Sequence, residues 1–283
     1  VPGLIKDLDL IKESRIRIVE TLAAINGIIL LIAGGLGYFL AGKTLQPIKT
    51  MLDEQNRFIG DASHELRTPL TALKTTTEVA LRNKNLSLAD TKKILAENVT
   101  EINQLQTLSD NLLQLTQYQN NGSSTHFKYF SLADIVQLAI KRTTPLADKK
   151  RIKIRNQTSN PQLFGNPISL TDALVIFLDN AIKYSPNLSV VTISSARQKD
   201  ELFLSIKDQG IGIDQKDLPH IFDRFYRADS ARAKANFGGY GLGLSIAKAV
   251  IDLHRGAISV TSKKNKGTTF TIKLPVAKNK NNE

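Results

Sequence analysis

Apolar residues follow three different patterns along the chain. From Thr21 to Gly42 the run TLAAINGIILLIAGGLGYFLAG carries no charge. At 1.5 Å per residue such a helix is roughly 33 Å long, enough to cross a hydrocarbon layer of about 30 Å. From Leu45 the apolar positions recur at steps of three and four: Leu45, Ile48, Leu52, Ile59, Ala62, Leu66, Leu73 and Ala80, with Gln55, Pro69 and Thr76 as imperfections of the same seam. This predicts a heptad helix, kinked or loosened at Pro69. RNKNLS at 82–87 breaks the pattern, and a second helix follows with Leu88, Leu95, Ile102, Leu105 and Leu112 on its seam and Ile94, Leu108 and Leu115 beside it. A helical hairpin cannot cover both its apolar faces alone, so two copies pairing as a four-helix bundle, a homodimer, are expected.

QNNGSS at 119–124 reads as a linker. Beyond it the pattern is mixed α/β, with strands expected at 152–156, 189–196, 201–207, 257–261 and 268–274 and helices near 131–143, 168–184 and 241–254. QKDE at 198–201 suggests a hairpin turn, and AKNKNNE a polar tail. The expected organisation is a short N-terminal segment (1–20), a transmembrane helix (21–42), a linker helix (43–57), the hairpin (58–119), a linker (120–126), an α/β domain (127–277) and the tail (278–283).

The apolar run has two other readings. A buried core helix fits by length, and a signal peptide fits less well because the run exceeds an h-region, although Arg15 and Arg17 would suit its flank. Lys43 and Lys49 follow the run, so charge does not orient it. Small residues at Ala23, Gly27, Ala33 and Gly37 would permit close helix approach and are equally common in unpaired spans. The chain opens on Val1, which fits a fragment or a processed chain, and residues 1–17 are too few for an extracellular sensor.

There is no cysteine, so disulfides and thiolate metal sites are excluded. Residues 1–126 carry 13 Lys/Arg against 13 Asp/Glu, and residues 127–283 carry 25 against 13, so the whole excess of +12 lies in the second half. A basic half suits nucleic acid, anionic lipid or a polyphosphate. A nucleic-acid reading has charge alone behind it and is set aside.

In FIGDASHELRTPLTAL, residues 58–73, the seam turns His64 outward. With Ala62 at heptad position d, His64 falls at f and Thr68 at c, one turn further along the same outer face. That excludes a packed core histidine and leaves an ordinary surface histidine or a reactive one. His126, His220 and His254 share no ligand spacing with it.

Three stretches of the second half suit a nucleotide. In FLDNAIKYSP (177–186), Asn180 and Lys183 share a helical face; an amide oxygen suits Mg²⁺ and an ammonium suits phosphate. In DQGIGI (208–213), Asp208 ends a strand and can accept from an exocyclic amine, while Gly210 and Gly212 allow a sharp turn and close approach. GGYGLGLSIA (238–247) opens a helix after a small-residue loop, an arrangement whose backbone N–H groups bind anions. It is neither a P-loop nor a Rossmann fingerprint. Each has a plain alternative as a polar helix face or a strand-ending turn.

SHELRTPL together with FLDNAIKYSP, DQGIGI, IFDRFYR (221–227), GGYGLGLSIA and KGTTF, in that order, resembles the bacterial sensor histidine kinases over roughly residues 43–277. The resemblance implies a dimeric phosphoacceptor hairpin and an α/β sandwich ATP-binding domain. It implies that His64 takes the γ-phosphoryl group of Mg-ATP, with Glu65 orienting its other ring nitrogen. The phosphoryl group would pass to an aspartate of a response regulator, and Thr68 would help place a water for dephosphorylating that regulator. Asn180 would hold Mg²⁺, Lys183 the phosphates, Tyr184 would pack beside the nucleotide, and Asp208 would read the adenine amine. Gly239, Gly241 and Gly243, with Leu242, would surround the phosphates, and Gly210, Gly212 and Thr268 would complete the site. ADSARAKANF at 228–237 reads as a lid over ATP, and Phe222 and Phe225 as packing residues.

Two features depart from that family. Ile176 occupies a position where it often has a second asparagine, and only TLQPIKTML separates the span from the histidine box, where a longer signalling module is common. Two rival classes follow: an ATP-binding dimeric membrane scaffold without phosphotransfer, and an ATPase or serine kinase of the same nucleotide-binding superfamily.

Overall fold

The computed structural model describes residues 2–119, 126–228 and 239–276, with side chains over 12–118, 126–228 and 239–276. Most of the expected linker, most of the expected lid, Gly238 and the polar tail lie outside the described residues. The chain divides into two compact units, Val1–Ser63 and His64–Glu283.

The first unit is helical, the beginning of α1 (Pro2–Arg82). Between Leu22 and Leu40 its large apolar side chains point to all sides and all are exposed, among them Ile25, Ile28, Ile29, Leu30, Leu31, Ile32, Leu36 and Phe39. A helix apolar all round needs an apolar surrounding, and this one is long and apolar enough to cross a membrane. Two of its polar side chains bond back to the helix: Thr21 Oγ1 donates to the Arg17 carbonyl at 2.7 Å and Asn26 Nδ2 to the Leu22 carbonyl at 2.9 Å.

In the second unit the remainder of α1 and α2 (Leu88–Gln119) form the predicted hairpin. Leu66 and Leu73 are half-buried and Pro69 is buried, as the seam requires. The helix runs on through Pro69, whose missing N–H leaves the Glu65 carbonyl without its helical donor. Asn98 reaches across the hairpin to the Thr76 and Thr77 hydroxyls at 3.3 Å. On α2 the two apolar flanks differ in exposure. Leu88, Leu95 and Ile102 are 73, 58 and 52% exposed, whereas Leu108 and Leu115, expected beside the seam, are 0 and 1% exposed. The reason is that α2 packs against a helix of the α/β domain with this flank, which leaves its other apolar face uncovered.

The α/β domain follows the order β1 (Lys128–Ser131), α3 (Leu132–Lys149), β2 (Lys153–Gln157), β3 (Gln162–Gly165), α4 (Pro167–Tyr184), β4 (Val190–Gln198), β5 (Glu201–Lys207), α5 (Gly243–Leu253), β6 (Ala257–Lys263) and β7 (Gly267–Pro275). Five strands form one sheet in the order β2-β4-β5-β7-β6, parallel only between β2 and β4, and β1 pairs with β3 in a separate ribbon. Alternate residues Val191, Ile193, Leu202, Leu204, Ile206, Phe270, Ile272 and Leu274 share one core with the buried stripes of α3, α4 and α5. This is the expected α/β sandwich. The β4–β5 turn is the predicted tight one, with Gln198 paired to Glu201 and Lys199 at φ 55.

Two elements differ from expectation. The four-residue strands β1 and β3 were not foreseen, because each buries one large side chain, Phe130 or Leu163, too few to show a period. Helix α3 runs to Lys149 rather than stopping near 143. Thr143 and Thr144 hydroxyls bond the Ala139 and Ile140 carbonyls around Pro145, and Ala147 is buried one turn beyond.

Candidate functional site

Helix α4 begins at a strong cap. Asn166 Oδ1 accepts the backbone N–H groups of Ile168 at 3.0 Å and Ser169 at 3.2 Å, and Pro167 supplies a preset first turn. The buried stripe through Leu170, Leu174, Phe177, Leu178 and Ile182 fixes its rotation. Asp179, Asn180, Lys183 and Tyr184 then face a cleft of about 690 Å³. Lys183 Nζ lies 2.7 Å from Asp179 Oδ2, both side chains about one-third exposed. Ile176 lines the same cleft and stands 3.3 Å from where a Cβ on Gly243 would be.

The DQGIG loop closes one end of the cleft. Asp208 is 5% exposed, and its Oδ1 accepts the N–H groups of Gly210 at 2.7 Å and Thr268 at 3.0 Å. Burial pushes the Asp208 carboxyl above its ordinary value, against those two N–H bonds, which lower it. Oδ2 makes no hydrogen bond among the described residues and is the oxygen available to a ligand. Gly212 has φ 67, and a Cβ there would sit 2.2 Å from the Lys263 carbonyl, so only glycine fits. Thr268 is buried, its hydroxyl 2.9 Å from Ser262 Oγ, which in turn accepts the N–H of Ile213 at 2.8 Å.

Gly239, Gly241, Leu242 and Gly243 line the opposite side and lead into α5. Gly241 has φ 75, and a Cβ there would meet Phe225 and Tyr226 backbone at 2.7 Å. Leu242 buries its side chain and caps the helix through its carbonyl, which accepts from Ile246 at 3.0 Å and Ser245 Oγ at 2.8 Å. Phe222 packs edge-on to Phe270 in the core, as expected of it.

The cleft therefore gathers Asn180, Lys183, Tyr184, Asp208, Gly212, Gly239, Gly241, Leu242, Gly243 and Thr268; Gly210 shapes the loop from behind, against the Tyr184 carbonyl. Sequence reasoning missed Asp179, Ile211, Ile213, Ile221 and Tyr226 on its walls, and Gln104, Thr107 and Asn111 of α2. The α2 residues carry no nucleotide signal in sequence, because tertiary docking alone brings them there.

Glu65 also lines the cleft; His64 is exposed and does not. Thr68 Oγ1 donates to the His64 carbonyl at 3.2 Å. Tyr240 faces Glu101 and Glu65, and burial first, then these two carboxylates, push its phenol upward. The docking of α2 is held by Leu108 and Leu115 and by Tyr118, whose hydroxyl donates to Asp172 Oδ2 at 3.5 Å while Arg142 Nη1 holds Asp172 Oδ1 at 2.8 Å.

Residues 54–121 match the His Kinase A (phospho-acceptor) domain, and residues 165–278 match the histidine kinase-, DNA gyrase B-, and HSP90-like ATPase family. Over 220 residues the chain is 37% identical to the sensor-like histidine kinase SenX3 of Mycobacterium tuberculosis, covering 77% of this chain and 53% of that one. It is 33% identical over 228 residues to the signal transduction histidine-protein kinase ArlS of Staphylococcus aureus, covering 81% and 50%. The chain thus spans about half the length of these curated relatives. Its fold is similar to the Acinetobacter baumannii histidine kinase AdeS, with TM-score 0.60 and 24% identity over 76% of this chain and 98% of that one. It is also similar to histidine kinase ThkA, solved in complex with response regulator protein TrrA, with TM-score 0.61 and 20% identity over 84% and 66%. With both halves of the architecture matched in order, the chain belongs to the sensor histidine kinases.

Proposed function

We propose that the chain autophosphorylates on His64 from ATP and passes the phosphoryl group to an aspartate of a response regulator. The observation that carries this reading is the cleft itself, which joins the glycine loops and Asp208 to Glu65, the neighbour of the outward His64. His64 Nε2 attacks the γ-phosphorus, the N–P bond forms, and the bond to the β,γ-bridging oxygen breaks to release ADP. The positive character left on the ring is taken up at the other nitrogen by Glu65. Phosphoryl transfer needs positioning and charge neutralisation more than covalent help, which suits a site built from backbone N–H groups, Lys183 and Asn180. Since Glu65 lines the cleft and His64 lies outside it, transfer requires the α/β domain to shift along the hairpin.

Asn180 is the residue that would hold Mg²⁺, whose chemistry is to neutralise the phosphate oxygens. Its amide faces the cleft, and Ile176 beside it offers no ligand atom. Asp208 Oδ2 would accept from the adenine amine, Gly239, Gly241 and Gly243 would turn N–H groups to the phosphates, and Tyr184 would pack beside the nucleotide. Thr68, on the outer face with His64, would place a water for dephosphorylating the regulator.

The chain works as a homodimer in this reading, its uncovered Leu88, Leu95 and Ile102 face meeting the second copy in a four-helix bundle. The apolar helix anchors it in the bacterial membrane with the α/β domain in the cytoplasm. A chase experiment tests the transfer: chain labelled with γ-labelled ATP is mixed with a receiver domain from a response regulator of the same genome. Label moving to the receiver aspartate supports the reading; label that no receiver removes contradicts it.

A further inference from the structure

Lys150 closes the end of the helix that carries Asn180, Lys183 and Tyr184. Its ammonium reaches three main-chain carbonyls, those of Ile182 at 3.0 Å, Lys183 at 2.5 Å and Ser185 at 3.1 Å. An ammonium has three donors and no acceptor, so three carbonyls match its donor count. The carbonyls at a helix C-terminus lack intrahelical partners and carry the negative end of the helix dipole. The Ile182 carbonyl could not be satisfied by the chain continuing, because Pro186 has no N–H to offer.

The clamp has a second side. The Lys150 carbonyl accepts the Leu188 N–H at 3.0 Å, and the Lys153 N–H donates to the Ser189 carbonyl at 3.1 Å, so the turn after α4 is pinned to the end of α3. From the front, the Tyr184 carbonyl accepts the Ile211 N–H at 3.2 Å, and a Cβ on Gly210 would lie 2.7 Å from the same oxygen. The last turn of α4 is thus held from behind by a cation and from the front by the loop that carries Asp208. Lys150 itself is not among the residues lining the cleft.

We propose that Lys150 is a positioning residue for the nucleotide: its ammonium sets the last turn of α4 against the Asp208 loop, and so fixes the spacing between the phosphate end of the cleft and the base end. This rests on the nucleotide reading above. A role in packing alone would lower stability, would need no cation, and would leave affinity unchanged in the folded protein.

The test uses the full chain in detergent, with Lys150→Ala, Lys150→Gln and Lys150→Arg, and two readouts: binding of trinitrophenyl-ATP, and autophosphorylation with γ-labelled ATP. Removing a charged donor set from carbonyls should weaken trinitrophenyl-ATP binding and raise KM for ATP by roughly tenfold in Lys150→Ala, with a smaller effect on kcat. Ethylammonium added to Lys150→Ala should restore affinity by refilling the three-carbonyl site, while sodium should not and wild type should not respond. Lys150→Arg keeps the charge, but its planar fork cannot meet three carbonyls that converge on one nitrogen, so it should recover affinity only in part, between Lys150→Ala and wild type. Unchanged affinity in Lys150→Ala, or a loss that ethylammonium does not relieve in folded protein, overturns the proposal. Should Lys150→Ala fail to fold, Lys150→Gln decides: an intermediate affinity supports the role and a wild-type affinity refutes it. Wild type that binds trinitrophenyl-ATP but takes no label would sink the kinase reading and leave the binding test of Lys150 intact.

Discussion

His254 Nε2 accepts the backbone N–H of Asn166 at 2.9 Å, which ties the end of α5 to the cap of α4. Its Nδ1 faces the Val250 carbonyl at 2.8 Å, so the ring is neutral with its proton on Nδ1. Phe127 stacks on the ring at 4.8 Å. Both helices bordering the cleft therefore depend on an imidazole that cannot accept a second proton without losing its bond to Asn166.

Burial drives the His254 pKa below its ordinary 6.5, against a smaller raising effect of the Val250 carbonyl. The unfolded chain takes up a proton near pH 6.5 and the folded chain does not, so stability is complete above that pH. It falls as pH drops through 6.5 towards the lowered value, by at most about 1.4 kcal/mol per pH unit for one proton. Thermal melts at pH 7.5 and 5.5 should show a steeper loss for wild type than for His254→Gln, whose amide can accept from Asn166 and donate to Val250. Equal slopes in the two proteins would contradict this.

Asp208→Asn tests the base end of the cleft. The amide oxygen can keep the bonds from Gly210 and Thr268 while an N–H₂ replaces Oδ2, so an acceptor becomes a donor. ATP affinity should fall by roughly 10–100-fold, the cost of one mismatched buried hydrogen bond, with GTP falling less. Because the Asp208 carboxyl is raised by burial, wild-type affinity should also weaken as pH falls through that raised value. Isothermal titration with both nucleotides checks this, and an equal loss for ATP and GTP would rule out adenine recognition by Asp208.

Tyr118→Phe tests how α2 holds the α/β domain. Burial and then Asp172 push the Tyr118 phenol up to about 12, so it stays protonated and keeps its donor to that carboxylate. Losing the bond should cost about 0.5–1.5 kcal/mol of docking and raise hydrogen exchange around Leu108 and Leu115 without altering the sheet. Unchanged exchange would mean the two leucines hold the contact alone.

The exposed α2 face tests the dimer. Leu95→Glu with Ile102→Glu changes two half-exposed residues outside the domain core and should give monomers in detergent by light scattering, with autophosphorylation reduced. A dimer that survives both changes would move the interface elsewhere.

Much of this was legible in sequence because the signals are local. The span needs only an uncharged run, and the hairpin only a repeated three-four step. Asp208, Gly212 and Gly241 announce themselves because a strand end or a positive φ restricts which residue can stand there. What stayed hidden depends on contacts distant in sequence. The burial of Leu108 and Leu115 could not be read from the repeat, since α2 also packs against α5, far along the chain. Strands β1 and β3 are too short to show a period. Lys150 looks like any surface lysine until the end of α4 is folded against it.

The most direct measurement is labelling of the purified full chain with γ-labelled ATP and Mg²⁺, beside His64→Gln, followed by acid and base treatment. Phosphohistidine is lost in acid and kept in base, and phosphoserine behaves the opposite way. Wild type should carry acid-labile label and His64→Gln none, with nucleotide binding equal in the two. Label that persists on His64→Gln, or survives acid, would contradict phosphorylation on His64.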